Sequence, residues 1–253
     1  MTVHLFIPCY LDQYAPHAAQ ALCYLLDRLK VPWYYPDQQT CCGQFAFNAG
    51  DWPAARRLMR HFFKVFSGPE VILCPSASCV LTIRRHYAHL VETPSDAFHL
   101  KRLQPLVLEV SEWLSAHLPL PFSLAFPGRL FLHQSCAARQ LGILPELKNL
   151  LSLTANLHVL EISPAYSCCG FGGLFSLKRP DLAQAIGLNY LRAVQALRPE
   201  ALLSPDLGCL LHLQGLLPTL KWDVPLHSTV EFICRSMDSP GDAFLPPFSF
   251  PHP

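Results

Sequence analysis

The sequence predicts an α/β protein of two pseudo-symmetric repeats, each a parallel sheet flanked by helices with cysteines at the carboxyl ends of its strands. Three observations predict it. The doublet Cys41–Cys42 recurs as Cys168–Cys169, an offset of 127, and the same offset carries Cys9 onto Cys136. Each doublet thus follows a single cysteine by the same distance, which chance does not readily give. Short apolar runs alternate with segments whose apolar residues recur every three or four positions, the pattern of strands and helices in βαβ units.

Element by element, the two halves run in step. "HLFIPC" and "RLFLHQSC" are apolar runs ending in cysteine, and "VPWYYPDQQTCCG" and "LHVLEISPAYSCCG" are second runs closing on the doublets. Between them "APHAAQALCYLLDRLK" carries helical periodicity. After the first doublet "DWPAARRLMRHFFKVF" does the same, with Asp51 and Pro53 as its start signal, and "RPDLAQAIGLNYLRAVQAL" takes that place in the second half. "EVILCPSASC" and "EALLSPDLGC" are the third pair, ending at Cys79 and Cys209, 37 and 40 positions beyond the doublets, which fits a short loop insertion. Each half reads as strand, helix, strand, doublet, helix, strand, cysteine.

The remaining segments are connections and ends. Residues Val107–His117 carry a helical pattern, followed by a proline-rich exit that places the boundary between lobes near Pro121–Gly128. The expected organisation is a first lobe with its connecting helix over 1–125, a second lobe over 126–238, and a proline-rich tail over 239–253. Beyond Cys209, "LLHLQGLL" reads as helix, "WDVPLHS" as a last strand and "TVEFICRS" as a final helix.

Composition bounds the chemistry. A chain of 253 residues with 51% hydrophobic and 15% charged residues can bury a substantial core. Its net charge of +1 gives no reason to expect a nucleic acid or an anionic membrane as partner. The N-terminal stretch lacks a secretory signal pattern, and no apolar run is long enough to span a bilayer, so a cytoplasmic protein is expected. In a reducing compartment, 11 cysteines are more readily metal ligands, redox centres or small core residues than disulfide partners.

Open parallel sheets bind ligands beyond the carboxyl ends of their strands, where all three cysteine elements of each half fall. Cys9, Cys41, Cys42 and Cys79 make one set of four thiolates, and Cys136, Cys168, Cys169 and Cys209 the other, the usual number for an iron-sulfur cluster. Gly43, Gly170, Gly172 and Gly173 allow sharp turns that aim amide donors at sulfur. Zinc also takes four thiolates, although structural zinc sites use closely spaced pairs on tight knuckles rather than ligands spread over strand ends. Cys74 is a candidate fifth thiolate that the repeat does not require, since Ser204 stands at its counterpart. Cys23 and Cys234 read as small hydrophobes on helix faces. His133 reads as a satisfied core histidine, with a hydrogen bond to a cluster as the alternative.

The strings "QTCCGQFAFNAG", "CPSASC", "FLHQSCAARQLG", "SCCGFGGLFSLK" and "DLGCLLHLQG" resemble the cysteine-rich CCG-domain family, from about Val3 to Arg235. That family includes the B subunit of heterodisulfide reductase and the iron-sulfur subunit of glycolate oxidase. Within it, the resemblance is to the lactate-utilisation branch. It implies an iron-sulfur electron-transfer subunit, acting with partner subunits, one of them ferredoxin-like, in oxidation of L-lactate to pyruvate. The implied cofactor is one cluster per repeat, of 4Fe-4S or non-cubane type. The heterodisulfide reductase pattern ends each repeat in Cys-x-x-Cys, whereas this chain has Cys74-x4-Cys79 in one half and Cys209 alone in the other. Two readings of other classes stand beside it: a metal-free thiol/disulfide oxidoreductase or redox sensor, and a zinc-binding structural scaffold.

Overall fold

The computed structural model of the chain describes residues 2–118, 124–162 and 168–237. The first half runs β1 (Val3–Leu5), α1 (Cys9–Tyr14), α2 (Pro16–Arg28), β2 (Trp33–Tyr34), α3 (Gln44–Ala49), α4 (Trp52–Val65), β3 (Val71–Cys74), α5 (Ala77–Arg84), α6 (Pro94–Leu103), β4 (Val107–Glu109) and α7 (Val110–His117). The second runs β5 (Leu124–Leu132), α8 (Cys136–Leu141), α9 (Leu144–Ser152), β6 (Thr154–Leu160), α10 (Leu174–Lys178), α11 (Pro180–Ala196), β7 (Ala201–Ser204), α12 (Leu207–Leu216), β8 (Leu226–Ser228) and α13 (Thr229–Met237).

The strands form two four-stranded sheets, ordered β2-β1-β3-β4 and β6-β5-β7-β8, and every pairing is parallel. The two orders are the same walk through the sheet, so the repeat in the cysteines is a repeat in topology. In the centre, Val3 pairs with Val71 and Leu5 with Leu73, while Leu130 pairs with Ala201 and Leu132 with Leu203. Helices cover both faces of such sheets, which is why β3 (VILC) and β7 (ALLS) read as nearly continuous apolar runs rather than alternating. β7 is buried along its whole length.

The helices form for local reasons. In α2 the buried positions Ala18, Ala21, Leu22, Leu25 and Leu26 recur every three or four residues and lay one face on the sheet. In α4 the buried face is Ala55, Met59, Phe62 and Phe63, and the Asp51 side chain accepts the Ala54 N–H at 3.0 Å to cap its start. The segment expected to be helical from Val107 differs in its first three residues. Val107–Glu109 pairs with β3 as a fourth strand, and the helix begins only at Val110. Sheet pairing of Val107 and Leu108 overrides the helical pattern there, a tertiary effect that local sequence does not carry. β5 begins within the expected boundary stretch, whereas Pro121–Ser123 and the tail at 239–253 lie outside the described residues.

The lobes interlock through their last helices. Helix α13 of the second half packs on α2 of the first, where Val230, Ile233 and Cys234 share a core with Leu22 and Leu25. Helix α7 of the first half packs on α9 of the second. Cys234 is fully buried and its thiol donates to the Ala21 carbonyl at 3.3 Å, while Cys23 packs partly buried against the same core. Both are packing residues. Among the described residues no helix is long and apolar enough to cross a membrane.

Glu109 ends β4 and caps α7. Its buried carboxylate accepts the Ser111 N–H at 2.7 Å and the Ser111 hydroxyl. Desolvation outweighs these bonds and pushes its pKa from 4.5 up to about 8. Between those two values the folded chain keeps a proton that the unfolded chain has released, so this group's contribution to stability falls as pH rises through the window. Chemical denaturation from about pH 5 to 8 should therefore show a steeper loss of stability in the wild type than in Glu109→Gln, whose amide cannot ionise. Parallel pH profiles would mean that Glu109 is ionised in the folded protein.

Candidate metal centre

Every sulfur of interest sits where a strand delivers the chain to the same edge of its sheet. Cys9 opens α1 just beyond β1, and Cys136 opens α8 just beyond β5. Cys79 and Cys209 are each the third residue of the helices that follow β3 and β7. The doublets lie in the loops that lead from β2 into α3 and from β6 into α10. All eight line one cavity of about 280 Å³ formed between the lobes. The structure thus brings both expected sets together, and brings them to the same place.

In the first lobe Cys9 Sγ lies 3.7 Å from Cys41 Sγ, and Cys42 contacts both Cys41 and Cys79. Cys74, the last residue of β3, is fully buried behind Cys79 and contacts it, so five thiols form one chain. In the second lobe Cys169 Sγ and Cys209 Sγ are 2.9 Å apart. Cys136 and Cys168 are exposed at its edge, whereas Cys169 and Cys209 are buried.

The glycines act as expected at two positions. Gly43 and Gly170 have φ of 84° and 89°, a left-handed turn that a side chain disfavours. The turn aims the Gly43 N–H at Cys41 Sγ (3.3 Å) and the Gly170 N–H at Cys168 Sγ (3.4 Å), and the Phe171 N–H reaches Cys169 Sγ at 3.5 Å. Gly172 and Gly173 also have positive φ and line the cavity wall, where Gly173 faces Asn48 of the other lobe.

These contacts concentrate negative charge on one sulfur in each lobe. Hydrogen bonds from Cys42 and Cys9, helped by the Gly43 amide, hold the Cys41 thiol well below its ordinary range. The same bonds seen from the donors, together with burial, push Cys9 and Cys42 up. In the second lobe the Cys209 thiol donates to Cys169, which is held low, with His133 adding to the effect, while Cys209 is pushed up. Cys41 is thus held between the Cys9 and Cys42 thiols, and Cys169 between the Cys209 thiol and the His133 ring, arrangements that attract a cation.

One residue outside the expected sets organises the seam. Asp206 is buried, and its Oδ1 accepts the Ser78 N–H (3.0 Å) and the Ser76 hydroxyl (3.3 Å) across the lobe boundary. Its Oδ2 accepts the Ser135 hydroxyl at 2.8 Å. Ser78 and Ser135 adjoin Cys79 and Cys136, so a single carboxylate orients cysteine-bearing turns from both lobes. Desolvation raises its pKa despite those donors. The paired strings "PSASC" and "PDLGC" carry its only sequence signal, since Ser76 and Asp206 occupy matching places in them.

A two-lobed α/β scaffold that gathers two repeated thiol sets at its strand ends defines a cysteine-rich class of protein whose donor groups suit a metal. The pattern of the cysteine-rich CCG domain matches residues 3–84 and 130–214, and the chain belongs to that family. It is 32% identical over 218 residues to lactate utilization protein A of Bacillus subtilis (strain 168), spanning 85% of this chain and 91% of that protein. Lactate utilization protein A of Anoxybacillus flavithermus (strain DSM 21510 / WK1) is 30% identical over the same shares. Among solved structures, a hypothetical protein from Helicobacter pylori superposes with a TM-score of 0.65 at 13% identity. That match covers 94% of this chain and 49% of the other, so this chain spans about half the length of that protein and shares its fold.

The doublet turn is testable through its packing. A Cβ added at Gly170 would lie 2.4 Å from the Ala183 carbonyl oxygen and 3.0 Å from the Gly187 nitrogen, whereas one at Gly50, also left-handed, meets nothing within 4 Å. Gly50→Ala should cost about 1 kcal/mol from backbone strain alone, and Gly170→Ala roughly 2–4 kcal/mol, read from denaturation midpoints. Equal costs would contradict the close approach at Gly170.

Proposed function

We propose that this chain is an iron-sulfur electron-transfer subunit of a system that oxidises L-lactate to pyruvate. One observation carries the reading: both repeated quartets of cysteine converge on one cavity at the strand ends. The names of its relatives, lactate utilization proteins, support lactate as the substrate of the system. In this reading Cys9, Cys41, Cys42 and Cys79 hold one cluster and Cys136, Cys168, Cys169 and Cys209 the other, with Cys74 in reserve beside Cys79. The donor set fits the group. It is made of soft thiolates, as iron-sulfur clusters require, with backbone amides already directed at sulfur to stabilise negative charge.

When bound, such a cluster supplies one-electron transfer. The chain's own residues hold the thiolates, direct the amides of Gly43, Gly170 and Phe171 at them, and limit water. Tyr10 and Phe171, in edge contact at 5.7 Å across the lobes, close one side of the cavity. In this reading the chain works with partner subunits, one of them a ferredoxin-like iron-sulfur protein, in the cytoplasm.

Anaerobically purified protein should be coloured, contain iron with acid-labile sulfide, and give a paramagnetic resonance signal in one redox state. Cys42→Ser and Cys169→Ser should each lower the iron content by about half, because each removes a ligand from one lobe only. A colourless, iron-free protein in which Cys169 and Cys209 oxidise reversibly would favour the metal-free thiol oxidoreductase instead. Stoichiometric zinc would favour the structural scaffold.

A further inference from the structure

The repeat makes it possible to ask which residues each lobe has that its counterpart lacks. The offset of 127 carries His133 onto Phe6. Phe6 meets Phe62 edge-on at 5.3 Å and 86°, and His133 meets Tyr190 edge-on at 5.2 Å and 80°. The fold therefore needs an aromatic pair at this point, and the first lobe meets that need with two hydrocarbon rings. The second lobe places nitrogen and oxygen there instead, in a position only 1% exposed. Burying polar atoms where hydrocarbon suffices is unfavourable unless those atoms have partners.

Half of that requirement is met inside the protein. His133 Nδ1 is hydrogen-bonded to the Tyr190 hydroxyl. Nε2 is buried and makes no hydrogen bond of normal geometry. It faces the cavity, and the ligand atoms of His133, Cys169 and Cys209 all lie within 4.8 Å of one another. An imidazole with one nitrogen anchored by a neighbour and the other turned toward two buried sulfurs is the arrangement of a metal-ligating histidine.

We propose that His133 Nε2 is a metal ligand together with Cys169 and Cys209, so that the second lobe holds a mixed nitrogen and sulfur centre and the first lobe an all-sulfur one. This rests on the reading of the thiol sets as metal sites and adds a donor that the repeated cysteines do not reveal. In the ligating tautomer Nδ1–H donates to Tyr190 Oη, which fixes the ring and leaves the Nε2 lone pair free. Binding of a divalent cation displaces to solvent the proton that the Cys209 thiol donates to the Cys169 thiolate and transfers no electrons. Cys136 and Cys168 stand on the same cavity wall to complete the coordination.

The experiment titrates reduced, metal-free full-length protein with Co(II) alone and follows its visible absorption. Thiolate bands should appear for two sites in the wild type. His133→Phe, which installs the first lobe's own residue, should weaken one site by more than about 10-fold and shift its absorption, leaving the other site unchanged. Tyr190→Phe keeps the ring packing and removes only the Nδ1 partner, and should weaken the same site by about 10- to 100-fold without loss of the native circular dichroism. Unchanged affinity and spectrum at both sites in both variants would overturn the proposal while leaving the thiol sites intact. Absence of Co(II)–thiolate bands from the wild type would overturn it together with the metal reading of the chain.

Discussion

Parallel pairing is the constraint on which the rest of this molecule depends. When every strand of a sheet runs the same way, every carboxyl end arrives at one edge, and residues far apart in sequence become neighbours without any long-range motif. Here that happens twice, after β1, β2 and β3 and again after β5, β6 and β7. The two edges then face each other. Three turns per lobe, each carrying cysteine, are thereby brought around one cavity, although the sequence holds the participating thiols 200 positions apart from Cys9 to Cys209.

Bringing the edges together creates a second problem, because turns are polar and Ser76, Ser135 and Asp206 are buried at the seam. Asp206 addresses it with one carboxylate. It accepts two donors from the first lobe and one from the second, and the Ala77 N–H adds a backbone bond to the Pro205 carbonyl at 3.1 Å. Small apolar residues fill the space beside it, with Ala77 and Leu81 of α5 against Ala137 and Ala138 of α8. A buried carboxylate with satisfied acceptors gives the seam direction as well as cohesion, since its geometry admits one alignment of the two lobes. The exchange of α7 and α13 between lobes makes that alignment part of the core rather than a loose docking.

Much of this was legible in the sequence for a physical reason. Short apolar runs and period-three-to-four apolar patterns report local structure, and a repeat reports that the same local structure is used twice. That is why both sheets, the cysteine turns and the helices α2, α4 and α11 follow from residue order. What was not legible depends on the partner across a contact. Val107–Glu109 reads as helix until β3 is beside it. Asp206 reads as a turn residue until Ser76, Ser78 and Ser135 surround it. His133 reads as a core histidine, and one of its nitrogens is satisfied as such a residue's would be, but only the fold shows the other turned to Cys169 and Cys209.

The places where the repeat fails are as informative as those where it holds. The first lobe has Cys74 where the second has Ser204, and Phe6 where the second has His133. Ser204 does not replace the thiol; its oxygen accepts the Asp206 N–H at 3.1 Å and serves the seam. Both differences change the donor set in the same sense, adding sulfur to one lobe and nitrogen to the other. Thiolate brings negative charge to a metal, and neutral imidazole brings none, so a centre with imidazole among its ligands is the more easily reduced. Under the proposed function, two like centres would give an electron no preferred side of the cavity, whereas two unlike ones would, and the asymmetry lies in residues that packing alone would not have required to differ.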